Sequence, residues 1–267
     1  MELIDRPLVH PRRKVTGFRP IKAMRHFGKL VADKEDTEQV FQIIDALKGR
    51  KSVWQMADFI ATPQARMLLE RGEALPPLLD DHARWAKCAP NSLARRYVEF
   101  MEREGLTAAG LVAESHKFKP KDERFEDLYE WYIERLRDTH DLFHVLTGYG
   151  RDPLGELCLL GFSYEQNHSP GVLFIAWMGA RQMAKETGMR APVMEALAEG
   201  RRLGREADKL AHADLLTTLP DDIDAVRARL KIGKPEAYRQ CLRLFEDLPT
   251  REGGWQVQLP ESQARAA

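Results

Sequence analysis

The chain has 267 residues and a mass of 30.6 kDa, a size suited to one large domain, or one domain with a small appendage. Its 41 Lys and Arg balance 41 Asp and Glu, so no bulk field draws nucleic acid or an anionic lipid surface, and only a local basic patch stays open. Charged residues at 31% and hydrophobic ones at 43% exclude a disordered chain. Cys88, Cys158 and Cys241 are odd in number, far apart and without a CxxC pair; they exclude a disulfide scaffold and suit a reducing cytoplasmic compartment. The longest apolar stretch, Val172–Met178, is about a third of the roughly 20 residues that span a bilayer. Glu2 and Asp5, with no apolar core beside them, argue against a secretory or transit leader.

No repeat or low-complexity segment is present. Pro7, Pro11 and Pro20, with Arg12, Arg13 and Lys14 between them, read as an extended arm over residues 1–20, either a solvated tail or a basic contact for a membrane or partner. From Ile21 the pattern turns helical. Phe27, Leu30 and Val31 mark one helix; Val40, Ile43, Ile44 and Leu47 mark the next, with Asp36-Thr37 as its N-cap. Ala57–Arg71 reads as a helix and Leu75–Leu78, with its two prolines, as a loop. Asn91 or Ser92 caps a helix that ends at Glu104 before Gly105. A long helix is expected from about Asp122 to Leu146, ended by Gly148 and Gly150. Pro153 then opens a helix through Phe162. Gly171–Lys185, Pro192–Ala213, Pro220–Leu230 and Pro235–Phe245 complete the helical segments. No segment alternates at period two, so the fold class is all-α: an arm (1–20), a helical domain (21–233), and a C-terminal helix with a polar tail (234–267).

Chemistry concentrates in His140-Asp141-Leu142-Phe143-His144. Histidines four apart share one helix face and can grip one metal ion. The apolar stripe of Phe125, Leu128, Tyr129, Tyr132 and Leu136, continued at the same spacing, lands on His140, Phe143 and His144. Both imidazoles are therefore expected to face the interior. Asp141, rotated about 100° from His140, is placed to ligate from the rim, to hold a ligand in place or to accept a proton. Glu156 follows after a Gly148, Gly150, Pro153 reversal that can turn it back toward the histidines. Two imidazoles with one or two carboxylates suit zinc, iron or manganese with open coordination positions. The plainer reading is a pair of core histidines. His168 beside Ser169-Pro170 is a weaker candidate, and His26, His82, His116 and His212 read as ordinary residues. An HD-type phosphohydrolase built from His140, Asp141, His116 and Asp208 would leave His144 and Glu156 unexplained. No GxSxG elbow, P-loop or GxGxxG is present.

His140-Asp141-x-x-His144, eleven residues, then Glu156 resembles the HDxxHx11E signature of the coenzyme Q (ubiquinone) biosynthesis protein 4 family. Val145-Leu146-Thr147-Gly148, Leu154-Gly155-Glu156 and Gln166 fit the same pattern, as do Arg96-Tyr97-x-Glu99-Phe100 upstream and Val226-Arg227-x-x-Leu230-x-Ile232 downstream. The resemblance covers about Phe27 to Ile232. It departs at Asn91-Ser92-Leu93-Ala94, where the family commonly has Gly-Thr-Leu-Gly, and it offers no counterpart for the arm or the tail. It implies a mostly helical, dimerising protein, here of bacterial type, that binds a divalent metal through His140, Asp141, His144 and Glu156. Zinc comes first, with iron or manganese as alternatives. The protein would lie in the cytoplasm, peripheral to the inner face of the cell membrane, among other quinone-biosynthesis enzymes and with no nucleic-acid partner. Its substrate would be a prenylated aromatic quinone precursor, and its role either C1 decarboxylation with hydroxylation or the non-catalytic organisation of an enzyme complex. An isoprenoid tail needs an apolar groove between helices, for which Leu159, Leu160, Phe162, Phe174 and Trp177 are candidates. Zinc does not change redox state, so with zinc the hydroxylation would need oxygen chemistry on the substrate itself or on another protein. Arg201, Arg202 and Arg205 read as a solvated helix face, or as contacts for partners or lipid headgroups in the organiser role.

Overall fold

The structure is a computed structural model that describes residues 2–13, 17–33, 36–48, 51–119 and 124–246. Among these residues there are sixteen α-helices and no strand. They are α1 (Pro20–Ala32), α2 (Thr37–Ala46), α3 (Lys51–Ile60), α4 (Pro63–Arg71), α5 (Leu75–Leu79), α6 (His82–Trp85), α7 (Leu93–Glu104) and α8 (Ala108–Phe118). Then come α9 (Leu128–Asp138), α10 (His140–Thr147), α11 (Pro153–Asn167), α12 (Pro170–Thr187), α13 (Arg190–Glu206), α14 (Leu215–Thr218), α15 (Ile223–Arg229) and α16 (Glu236–Glu246). The expected helix start at Asp122, the basic Lys14 and the tail after Glu246 lie outside the described residues.

Local chemistry explains most boundaries. Ser92 Oγ accepts from Arg95 N at the start of α7, and Gly105 ends it in the left-handed region (φ 65°). Leu93 N and Ala94 N donate to Asp221 and Leu219 carbonyls, so Asn91–Ala94 is committed to holding the chain before α15. Prolines at the first turns of α4, α11 and α12 stand where no N–H is missed. The same tolerance corrects the expected loop: Pro76 and Pro77 occupy the start of α5, a short helix whose Leu75 and Leu79 are buried. The expected helix over Ala57–Arg71 is two helices, because Thr62 breaks off to cap α4 through Ala65 N.

The expected long helix through residue 146 is divided at Thr139, whose hydroxyl donates to the Arg135 carbonyl at 2.8 Å. The division sends the two halves into different cores. Leu128, Tyr129 and Tyr132 pack with Met56, Phe59 and Leu68. Leu142, Phe143 and Leu146 join the largest core, with α7, α11, α13 and α16. A third cluster holds the α1–α2 hairpin on Ile175 of α12. In the largest core α11 and α13 meet backbone to backbone. A Cβ on Gly200 would lie 2.5 Å from the Cys158 carbonyl oxygen, and one on Gly204 2.4 Å from that of Phe162.

The described part of the arm is tied to the start of α9. Pro7 and Leu8 carbonyls accept from Leu128 N and Tyr129 N, two first-turn donors that α9 cannot satisfy itself. Asp127 caps α9 through Glu130 N at 2.8 Å, accepts from His10 N at 2.8 Å and takes two 2.7 Å bonds from Arg13. Burial opposes the Asp127 charge, but Arg13 and the two backbone donors outweigh it and hold the carboxyl below its usual value. Asp127→Ala removes the cap and leaves a guanidinium that is only 9% exposed with Glu130 as its one remaining carboxylate partner among the described residues. It is expected to lower unfolding free energy by about 3 kcal/mol in urea titrations at neutral pH. Because the folded-state value is the lower one, this contribution is complete above pH ~4 and disappears as pH falls through the folded-state value, so the gap between wild type and variant closes in acid.

Candidate metal centre

His140 and Asp141 open α10 and His144 lies one turn on, so a single helix presents all three. Their ligand atoms lie within 4.8 Å of one another. Gly148 ends α10 in the left-handed region (φ 78°) with its N–H on the His144 carbonyl, and the chain reverses. Asp152 then caps α11 through Leu154 N (3.1 Å) and Gly155 N (3.0 Å). This starts α11 so that Glu156, in its first turn, faces back to the imidazoles. Glu156 Oε1 is 3.4 Å from His144 Nε2, and Oε2 is 3.8 Å from His140 Nε2. The four residues expected to act together are brought together.

The environment is graded. The His144 side chain is 0% exposed, whereas His140 and Glu156 keep 32% and 33%, so the cluster has a closed floor and an open mouth. His144 Nδ1 lies 3.0 Å from the Tyr149 carbonyl. A carbonyl only accepts, so Nδ1 carries a proton, and in the neutral ring Nε2 keeps its lone pair. That Nε2 is buried without a hydrogen-bond partner among the described residues, an arrangement that suits a metal ligand oriented by its other nitrogen. Phe100 stacks on the His144 ring at 5.5 Å and shields it from that side.

The charges agree with a cation-seeking site. Burial, with help from His144, lowers the pKa of His140. Burial opposes charge on His144 too, but Glu156 and the Tyr149 carbonyl outweigh it and raise the value. Burial would raise Glu156, yet His144, His140 and Arg151 draw it down to about 2. Glu156 thus remains a carboxylate at neutral pH. A proton and a metal ion compete for His144 Nε2.

Beside His144 opens a groove of about 350 Å³ lined by Phe100, Tyr149, Arg96, Arg103 and Arg227. A second cleft of about 380 Å³ lies between α5, α8 and α9. None of the five residues expected to hold an isoprenoid tail lines either cavity. Leu159 and Phe162 are wholly buried in the largest core, and Leu160 packs against it. Phe174 meets Phe27 edge to face at 5.7 Å, and Trp177 is exposed under the Arg181 guanidinium. Asp208 pairs with Lys231, away from the cluster, so the phosphohydrolase arrangement is not assembled. Gln166 spans Gly204 O and Leu210 N as a structural clasp, and His168 closes α11 with positive φ. Arg201, Arg202 and Arg205 keep 39%, 50% and 54% of their side chains exposed, as a solvated helix face does, but Arg201 and Arg205 also reach down to Glu165, whose side chain is 6% exposed. Tyr149, Arg151 and Asp152 were not expected at the site. Of the three, Asp152 alone carried a local signal, an N-cap residue directly before a first-turn proline.

The model of the coenzyme Q (ubiquinone) biosynthesis protein Coq4 family matches residues 43–236. The chain belongs to that family. Among curated relatives, the mitochondrial ubiquinone biosynthesis protein coq4 of Penicillium rubens is 24% identical over 164 residues, covering 61% of this chain and 54% of the relative. Those of Aspergillus fumigatus and Ajellomyces capsulatus are each 25% identical, over 164 and 160 residues, covering 61% and 59% of this chain and 54% and 53% of the relatives. The chain therefore spans about half the length of the Coq4 proteins it matches. The fold resembles the crystal structure of a Nostoc punctiforme protein assigned by its name to ubiquinone biosynthesis. The TM-score is 0.61 at 18% identity, covering 82% of this chain and all of that one.

If the cluster holds a metal, zinc or cobalt at a hundredfold excess over its dissociation constant stabilises the fold by about 2.7 kcal/mol, and His144→Ala abolishes the gain in thermal melts. Affinity falls as pH drops through the imidazole range, starting at or above the ordinary histidine value of about 6.5 because His144 is shifted upward. Competition titrations at acid and neutral pH read this directly.

Proposed function

We propose that this Coq4-family chain acts in ubiquinone biosynthesis as a metal-dependent enzyme that removes the C1 carboxylate from a prenylated, hydroxybenzoate-derived ring, with C1 hydroxylation completing the conversion. The observation that carries the reading is the placing of His144 Nε2, buried, oriented by the Tyr149 carbonyl at the other ring nitrogen and 3.4 Å from the Glu156 carboxylate. His140, His144 and Glu156 would hold the ion, with Asp141 as a fourth ligand or as a proton acceptor. A divalent cation supplies positive charge beside the ring oxygens, where negative charge collects as carbon dioxide departs. The chain does the rest. Phe100 and the buried floor exclude water behind His144, and the third of Glu156 and His140 left exposed admits the ring. Arg96, Arg103 and Arg227 line the adjoining groove, each beside a carboxylate (Glu99, Glu104 and Asp224), and would meet an anionic substrate by exchanging those surface pairs. None of the four ligand side chains is redox-active, so hydroxylation draws its oxidant from outside them.

A peripheral membrane position fits α1. Phe18, Ile21 and Met24 are 62%, 86% and 48% exposed, and Arg19, Lys22 and Arg25 alternate with them along the same stretch. Exposed apolar residues flanked by basic ones suit a helix lying in a lipid interface. Among the described residues no helix is long and apolar enough to cross a membrane. Other pathway enzymes and a second copy of the chain are the protein partners in this reading. Ile21→Glu combined with Phe18→Glu is expected to reduce sedimentation with phosphatidylserine-containing vesicles about tenfold or more, while leaving the helical circular dichroism unchanged.

The alternative is a non-catalytic organiser in which the metal staples α10 to α11. It gains support from Leu159 and Phe162, which are committed to the core and leave no tail groove there. His144→Ala in the chromosomal copy separates the two. Loss of quinone with accumulation of ring-carboxylated precursor, at normal protein level, supports the enzyme; normal quinone with the variant folded supports the organiser.

A further inference from the structure

The loop that joins the two halves of the metal centre is held by a residue outside the match to the family model, which ends at residue 236. Tyr238, in the first turn of α16, is 0% exposed. Its hydroxyl accepts from Gly150 N at 3.0 Å and donates to Asp152 Oδ2. Its ring meets that of Tyr149 edge to face at 5.2 Å. Two of these contacts lead to different ligands. The Tyr149 carbonyl fixes the His144 imidazole. The other oxygen of Asp152 caps α11 and so sets where Glu156 begins its turn.

The fit leaves no slack. A Cβ on Gly150 would come within 2.8 Å of the Tyr238 hydroxyl and 2.7 Å of Asp152 Oδ2, and one on Gly155 within 2.2 Å of the Gly150 carbonyl oxygen. Real Cβ atoms do not approach that closely, so both glycines are demanded by this clasp. Tyr238 is itself fixed from behind. Glu199 of α13 accepts from Glu236 N, Ala237 N and Tyr238 N at 3.0–3.2 Å, which satisfies the first-turn donors of α16.

We infer that Tyr238 is a positioning residue of the metal centre: through the 149–152 loop, α16 sets the His144 imidazole and the Glu156 carboxylate at once. The inference rests on the reading of this cluster as a metal site. Tyr238 touches neither the proposed ligands nor the space between them, so its effect is on geometry and hence on affinity. Supports of this kind change metal affinity by about 10- to 100-fold when removed.

The test is cobalt(II) binding to the full chain, followed by its visible absorption band and by chelator competition, in wild type, Tyr238→Phe, Asp152→Asn and Tyr132→Phe. Tyr132 is a buried tyrosine of the other core and controls for loss of a hydroxyl elsewhere. Tyr238→Phe is expected to keep its helical circular dichroism, to lose cobalt affinity at least tenfold and to exchange the Gly150 amide hydrogen faster. Tyr132→Phe is expected to leave cobalt affinity unchanged. Should Tyr238→Phe fail to fold, Asp152→Asn carries the test, because asparagine keeps the helix cap while its second atom no longer accepts from the tyrosine. Cobalt affinity and band shape unchanged in the folded variant overturn the positioning role alone. A wild-type chain that binds no cobalt overturns the metal reading and this inference with it.

Discussion

The hydrogen bond from His144 Nδ1 to the Tyr149 carbonyl decides what the rest of the site can do. It is a short-range bond, five residues along the chain, and it forms only because Gly148 turns α10 off in the left-handed region immediately after the histidine's own helix ends. With Nδ1 occupied, the nitrogen facing Glu156 is the one left to take a metal ion or a proton. Without that carbonyl, the ring would be free to exchange tautomers and to present either nitrogen to the carboxylate. The backbone reversal is therefore part of the donor set, although it contributes no ligand.

What was legible in the sequence follows the reach of each interaction. The α7 boundaries could be read because Ser92 and Gly105 act on their own neighbours. His140, Asp141 and His144 could be read because one helix turn brings them together, and Glu156 because the intervening glycines and proline announce a reversal. The division at Thr139 could not, because a single buried threonine back-bonding to Arg135 leaves the apolar spacing intact on both sides. The stripe that appeared to run straight to the histidines in fact serves a separate core up to Tyr132. The α8 helix went unread because it is mostly half-buried, with Ala108 its only fully buried residue, and carries little periodic signal beyond its Thr107 cap. Leu159 and Phe162 were apolar, close to Glu156 and on its helix; only tertiary packing tells a core residue from a groove residue.

Charge balance also hides its geometry. Equal numbers of acids and bases predict a featureless surface, yet some of the pairs face inward. Asp127 and Glu165 are almost fully buried. Asp127 takes both of its guanidinium bonds from Arg13, and Glu165 is held by two arginines, so each carboxylate ties one distant segment to another. Pairs of this kind define where segments meet more than they add to stability. They account for cations that, from the sequence, looked available for a membrane or a partner protein.

The glycine contact between α13 and α11 has a consequence for motion. Gly200 and Gly204 are four residues apart, and they rest on the carbonyls of Cys158 and Phe162, also four apart. Two notches thus engage two teeth. The helices cannot slide by a fraction of a turn without driving backbone into backbone, and the next matching position lies about 6 Å away along the axis. Axial displacement of α11 is in effect stepwise. The Glu156 carboxylate, two residues before that seam begins, does not drift along the axis under small forces from the far end of the molecule, and its distance to the histidines is set by the loop side alone.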